Sequence, residues 1–233
     1  MGREITLTAA DGSGSFTAYL AEPASGTGPG IVVIQEIFGV NQDVRKKADA
    51  WAEKGYFALA PDLFWRQEPG VQLTDKTEEE WKKAAALLQG FDVDAGVEDL
   101  KVTIDALRDV HGCTGKVGTV GFCLGGRLAY LCATRTNADA NASYYGVTIE
   151  KMLDEAANIT KPLIMHIACK DKFVSPEAQA QIHAALDDHP QVTIYDYKDQ
   201  DHAFTRIGGQ HFDQAATDLA HGRTTAFFAE HLK

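Results

Sequence analysis

The sequence lacks most of what would mark a secreted, membrane or nucleic-acid-binding chain. Its four cysteines, at 113, 123, 132 and 169, form no C-x-x-C pair and no even framework, so neither disulfide staples nor a zinc knuckle is indicated. Reduced thiols fit a cytoplasmic compartment. No apolar run approaches the roughly 20 residues a membrane span requires, and there is no signal-peptide pattern. Positive charge is short: 22 Lys and Arg against 33 Asp and Glu leave a net charge of −11. That balance argues against nucleic acid and anionic membrane surfaces as partners. Internal repeats, low-complexity tracts and interdomain linkers are missing too. The acceptor-like triplets Asn141-Ala142-Ser143 and Asn158-Ile159-Thr160 mean nothing without a secretory signal. The myristoylation match at Met1-Gly2 yields to the alternation of Glu4–Thr8, which predicts an edge strand.

What is present suits one α/β domain over residues 1–233, with 45% hydrophobic residues to fill a core. A turn at Asp11-Gly12-Ser13-Gly14 joins the edge strand to Phe16–Ala21, an antiparallel hairpin. A loop from Pro23 to Pro29 precedes Gly30–Ile34, a continuous β-branched run of the kind covered on both faces of a parallel sheet. Asn41 caps a helix to about Lys54, and Tyr56–Ala60 is the next buried strand. An irregular rim runs to about Asp75. Thr77 and Glu80 then form a capping box for a helix with the apolar stripe Trp81, Ala84, Ala85 and Leu88. A helix from Asp92 to Asp109, strands at Val117–Val120, Ala142–Gly146, Pro162–Ala168 and Gln191–Tyr197, and helices from Pro176 and Asp213 complete the pattern.

The chain is organised around Gly121-Phe122-Cys123-Leu124-Gly125-Gly126. An apolar run precedes it and a helical pattern, Arg127–Ala133, follows. Strand, glycine-pinched turn and helix in that order describe a nucleophile elbow, G-x-S-x-G, with Cys in place of Ser. The glycines leave room for a turn too tight for a neighbouring Cβ. The helix end beside Cys123 favours a thiolate and a developing oxyanion. A buried structural cysteine in a glycine-rich turn is the rival reading. Chain order decides between them. Such a hydrolase needs nucleophile, acid and histidine in that sequence, each at a strand's carboxyl end. Cys123, Asp171 in Cys169-Lys170-Asp171-Lys172-Phe173-Val174, and His202 in Asp201-His202-Ala203-Phe204 arrive there in that order. Glu36, directly after Gly30–Ile34, also sits at the edge where ligands bind in doubly wound sheets. His166, inside an apolar run, reads as a hydrogen-bonded core histidine. No spacing near it matches a zinc site.

The residues Gln35-Glu36-Ile37-Phe38-Gly39-Val40-Asn41, Gly55-Tyr56 through Pro61-Asp62-Leu63, the Cys123 elbow, Tyr144-Tyr145-Gly146, Asp171 and His202-Ala203-Phe204 resemble the dienelactone hydrolases, or carboxymethylenebutenolidases. The resemblance covers nearly the whole chain. It implies an α/β-hydrolase fold: a mostly parallel sheet with helices on both faces and an antiparallel N-terminal edge. It further implies a Cys123-His202-Asp171 triad with Glu36 as fourth member, and an oxyanion hole from the N–H groups of Ile37 and Leu124. In the family the resting thiol is neutral near the glutamate, substrate binding shifts that carboxylate to take the proton, and the histidine becomes the thiolate's partner. Neither metal nor organic cofactor is implied. The partner is a small ester or lactone, and the chain is expected to be a monomer.

One departure bears on substrate. The family's lactone-opening members grip a substrate carboxylate with two arginines; Arg206 matches one, but Trp81 stands where the other falls, with Phe38 a further expected substrate contact. Arg offers a bidentate fork, Trp an apolar face and one N–H. Lys82, Lys83 and Arg66 are the substitutes to consider. The departure points to a general carboxylesterase on neutral or aromatic esters as the alternative. A thiol redox or metal-binding protein using Cys123 with Cys132 or Cys169 is the alternative from another class, and a silent binding homologue would need broken triad positions, which are intact.

Overall fold

The computed structural model describes residues 2–233. Eight strands form one sheet in the order β1-β2-β4-β3-β5-β6-β7-β8, surrounded by helices. The pairs β1–β2 and β2–β4 are antiparallel, while β3–β4, β6–β7 and β7–β8 are parallel. The mostly parallel sheet with an antiparallel N-terminal edge is therefore as the sequence predicts. The chain divides into two compact units, residues 1–119 and 120–233, and the boundary falls inside a strand.

The first unit holds β1 (Arg3–Thr8), β2 (Ser15–Ala21), β3 (Gly28–Ile34), α1 (Gln42–Glu53), β4 (Phe57–Pro61), α2 (Glu78–Gln89), α3 (Val93–Arg108) and most of β5 (Cys113–Phe122). Residues 30–34 of β3 and all of β4 are buried, as continuous apolar runs require in a covered parallel sheet. β3 starts two residues before the predicted Gly30. Asn41 caps α1 by accepting from the N–H groups of Asp43 and Val44, contributing about 1 kcal/mol. Thr77 and Glu80 make the capping box of α2. The stripe expected on α2 is not the one buried: Ala84 and Leu87 face inward, while Trp81 is exposed. So short an apolar face leaves the register of a surface helix open to a shift of one position.

The rim after β4 is more ordered than its composition suggests. Buried Asp62 accepts from the N–H groups of Phe64 (3.1 Å) and Gly70 (2.7 Å), closing the segment into a turn. Arg66 and the Trp65 indole N–H both donate to Asp99, a carboxylate on α3 with its side chain 1% exposed. A bidentate guanidinium and an indole together satisfy that buried charge.

The second unit begins with the end of β5 and continues through α4 (Leu124–Arg135), β6 (Ala140–Tyr144), two 3-10 turns (Ile149–Lys151 and Leu153–Asn158), β7 (Leu163–Ala168), α5 (Pro176–Leu186), β8 (Val192–Tyr197) and α6 (Gln214–Leu232). β6 starts earlier and stops sooner than expected, because Tyr145 turns to φ 37°. The 3-10 turns carry no sustained apolar period and went unread in the sequence. Among the described residues, no helix is long and apolar enough to cross a membrane.

Candidate active site

β5 delivers Cys123 at the N-terminus of α4 with φ 56° and ψ −112°. For a residue with a side chain that conformation costs about 1–3 kcal/mol, and such strain gathers at functional sites. The glycines beside it are obligatory. A Cβ on Gly121 would stand 1.9 Å from the Gly125 carbonyl oxygen, and one on Gly126 would stand 2.4 Å from that of Tyr144. The Cys123 N–H donates to the Tyr144 carbonyl at 3.1 Å, tying the elbow to the end of β6. Leu124 opens α4, so its N–H has no acceptor within the helix and is free to point at an anion.

Asp171 and His202 come from the loops after β7 and β8, neighbouring parallel strands. Backbone bonds lace the two loops: Cys169 N–H to the Tyr197 carbonyl at 3.1 Å, and Lys170 N–H to that of Gln200 at 2.9 Å. His202 Nδ1 lies 2.6 Å from Asp171 Oδ2, and the other carboxylate oxygen accepts the Phe173 N–H at 2.8 Å. Both side chains are buried. Burial works against a charged imidazole, but the negative Cys123, the hydrogen bonds to Asp171 and Cys123 and the Asp171 charge outweigh it, raising His202 to about 10. His202 thus has the Asp171 carboxylate on one ring nitrogen and Cys123 near enough to hydrogen-bond to the imidazole.

Among the described residues, four other than glycine take positive φ, and all lie in this unit: Cys123, Tyr145, Thr148 and Ala203. Two side chains that the sequence reading left without a role touch the site. Tyr145 sets its ring edge-on to His202 at 5.2 Å and shares a 2.7 Å hydrogen bond with the Thr205 hydroxyl, bracing the histidine loop. Phe173 contacts the His202 ring at 4.8 Å while remaining 62% exposed. The paired tyrosines and the phenylalanine two residues after the acid were the available signals. Arg206 follows on the same loop, half-buried.

In the first unit, Glu36 and Ile37 are buried directly after β3. The Gln35 carboxamide fixes their loop, accepting from the Leu63 N–H at 3.1 Å and donating to the Glu36 carbonyl at 3.3 Å. Gly39, at φ 76°, passes so close to the Val71 carbonyl that a Cβ would lie 1.9 Å from its oxygen. Phe38 meets Trp81 edge-to-face at 5.1 Å, and the indole N–H donates to the Asp75 carbonyl at 3.1 Å. The three cations considered as substitutes for an arginine at 81 have other work. Lys82 pairs with Glu78, Lys83 with Glu68, and Arg66 with Asp99 and Asp11.

His166 is the core histidine expected. Its ring nitrogens bond the Tyr197 and Thr224 hydroxyls, each at 2.8 Å. Burial, with Arg223 and His221 nearby, holds it well below the ordinary histidine range, hence neutral. None of the four cysteines forms a disulfide, and no group of three metal-ligating side chains occurs among the described residues.

The sequence model of the dienelactone hydrolase family matches residues 16–232. The chain belongs to the dienelactone hydrolase family. The carboxymethylenebutenolidase 1 of Cupriavidus pinatubonensis is 36% identical over 225 residues, covering 97% of this chain and 95% of that one. The Pseudomonas putida carboxymethylenebutenolidase gives the same identity and coverage. A crystal structure from Klebsiella pneumoniae, described as of the dienelactone hydrolase type, superposes with a TM-score of 0.84 at 25% identity, over 98% of this chain and all of the other. Membership in this family of α/β-hydrolases also makes the chain a hydrolase of esters or lactones, and leaves the redox and metal-binding reading unsupported.

Proposed function

We propose that this dienelactone hydrolase family member opens a lactone or carboxylic ester through a thioester at Cys123. The observation that carries the reading is the line Cys123–His202–Asp171, with the imidazole charge held to about 10. The thiol proton first leaves to Glu36, buried after β3 as the family pattern implies. The thiolate, balanced by His202, attacks the acyl carbon, and the N–H groups of Leu124 and Ile37 receive the oxyanion. Both follow the carboxyl ends of sheet strands, where ligands bind in such sheets. His202 gives its proton to the leaving oxygen, forming alcohol or enol and thioester. It then takes a proton from water; the hydroxide attacks the thioester, the acid departs leaving thiolate and imidazolium, and Glu36 returns its proton to the sulfur to restore the resting thiol. The relatives' activity supports a lactone substrate. β5 running through both compact units supports a single catalytic domain.

Substrate choice turns on Trp81. Losing one charge-assisted, bidentate grip on a carboxylate costs on the order of 1.5–3 kcal/mol. Trp81 instead packs edge-to-face on Phe38, the residue after Ile37, and the pair offers an aromatic surface. On a panel of matched substrates, Trp81→Arg is expected to raise kcat/KM for a carboxylated lactone about tenfold and to lower it for a neutral aryl ester. Arg206→Ala is expected to hurt the carboxylated substrate more than the neutral one. A Trp81→Arg enzyme with an unchanged ratio between the two substrates would remove position 81 from the substrate site. A wild type inactive on every ester and lactone of the panel would contradict the proposed reaction.

A further inference from the structure

Arg127 is the fourth residue after Cys123, in the first turn of α4, and its N–H closes onto the Cys123 carbonyl at 3.1 Å. A cation there runs against the helix. The N-terminal end already carries partial positive charge and is better matched by acidic side chains; this first turn has none. The side chain is half-buried. One terminal guanidinium nitrogen donates to the Thr148 hydroxyl at 2.9 Å, and Nε is buried without an acceptor. The recorded partner is therefore a neutral hydroxyl, presented by a residue in the left-handed region, φ 60°. Burial presses the guanidinium toward its neutral form, and the negative charge of Cys123 draws it back. For stability alone this is an expensive arrangement: wrong helix end, incomplete hydrogen bonding and strained backbone at the point of contact. The charge that compensates it is the one formed four residues earlier.

We infer that Arg127 is a positioning residue that holds the Cys123–His202 couple in its thiolate–imidazolium form. The helix end favours the same form, but its N–H groups must also receive the oxyanion; a guanidinium engaged with the Thr148 hydroxyl adds field without itself being an oxyanion donor. The groups acting on the couple have opposite senses. Arg127 and protonated His202 favour the thiolate. Asp171 favours the imidazolium. Glu36, which the proposed mechanism brings to the thiol, disfavours the thiolate until it takes up the proton. On the Thr148 side, Glu150 keeps Oε2 buried without a hydrogen-bond donor and is the acidic group nearest in sequence to the Arg127 contact. A purely structural Arg127 would serve that acidic turn and leave the thiol alone.

The inference rests on Cys123 being the nucleophile, and the test separates the two. The rate of iodoacetamide alkylation at Cys123 is followed against pH in the full-length enzyme, with the modified peptide identified by mass and turnover recorded in parallel. Arg127→Gln removes the charge and keeps a donor for Thr148; Arg127→Met removes both; Arg127→Lys keeps the charge. The expected result is a rise of about one pH unit in the alkylation midpoint for the Gln and Met variants, a kcat about three- to tenfold lower near neutral pH with KM little changed, and recovery of most of the shift by Lys. A folded Gln or Met variant, by its thermal midpoint, with the wild-type alkylation profile overturns the role of Arg127 and leaves the triad untouched. A variant that loses thermal stability while its alkylation midpoint stays put shows the structural role and overturns it equally. Should wild-type alkylation at Cys123 leave turnover unharmed, the nucleophile assignment falls and this inference with it.

Discussion

Cys123→Ala is expected to lose turnover by at least about 10⁴-fold on the best substrate while the protein stays folded. The reason is chemical. Alanine cannot form the thioester, so the divided reaction of two easier steps becomes direct attack by water. The structural change is small: only a sulfur is removed, and what holds the elbow is the Cys123 N–H bond to the Tyr144 carbonyl, which Ala retains. Ala must still adopt φ 56°, so the strain persists. Thermal unfolding within a few degrees of wild type, together with lost turnover, is the expected pair of results. Cys132→Ala and Cys169→Ala should keep their activity. If Cys123→Ala retained a tenth of the wild-type rate, the nucleophile would have to be sought elsewhere.

Asp171→Asn is expected to lower kcat/KM by about a hundred- to a thousandfold near neutral pH. Asn keeps the shape of the loop, since its carbonyl oxygen can still accept the Phe173 N–H bonded to Asp171 at 2.8 Å. What goes is the carboxylate 2.6 Å from His202 Nδ1. Burial opposes the imidazolium throughout, and with Asp171 gone only the negative Cys123 is left to hold it up from its present value of about 10. The sign follows directly. The raised value keeps the imidazolium charged across neutral pH; removing one support lowers it, so the charged form disappears at a lower pH as pH rises. The alkaline limb of kcat/KM should move down by about one unit or more, beside the loss in rate. A thiolate is a better nucleophile than an alkoxide and less dependent on its base, so the loss should be smaller than for Cys123→Ala. An unchanged alkaline limb would mean that Asp171 does not act on His202.

The parts of this enzyme most legible in the sequence were those that depend on chain order. Gly121-Phe122-Cys123-Leu124-Gly125 could be read because only a very tight strand-to-helix turn demands that spacing, and the 1.9 Å approach of a Gly121 Cβ to Gly125 shows how tight it is. Asp171 was legible because it follows a different strand from His202, whereas neighbours of a histidine in sequence rarely face its ring; Asp201 in fact accepts the His202 backbone N–H at 2.7 Å. The covered strands β3 and β4 and the caps Asn41 and Thr77 were equally plain. Less visible were features set by tertiary contact. The apolar face of α2 was misread, as Trp81 looked like core but packs on Phe38 at the rim. The 3-10 turns between Ile149 and Asn158 have no period to announce them. The order of the rim depends on Asp62 caps formed across eight residues, which local composition does not encode. Tyr145 was visible as part of a motif, but its bond to Thr205 spans 60 positions, and only folding brings the two together.

The central claim is that acyl transfer passes through Cys123. It is tested most directly by quenching the enzyme in acid during turnover of an activated ester and digesting it for mass analysis. The claim predicts an acyl mass on the peptide containing Cys123, labile to hydroxylamine as a thioester is, and absent in Cys123→Ala. No adduct at Cys123 under conditions where product is formed in a burst, or an adduct on Cys132 or Cys169 instead, would contradict it.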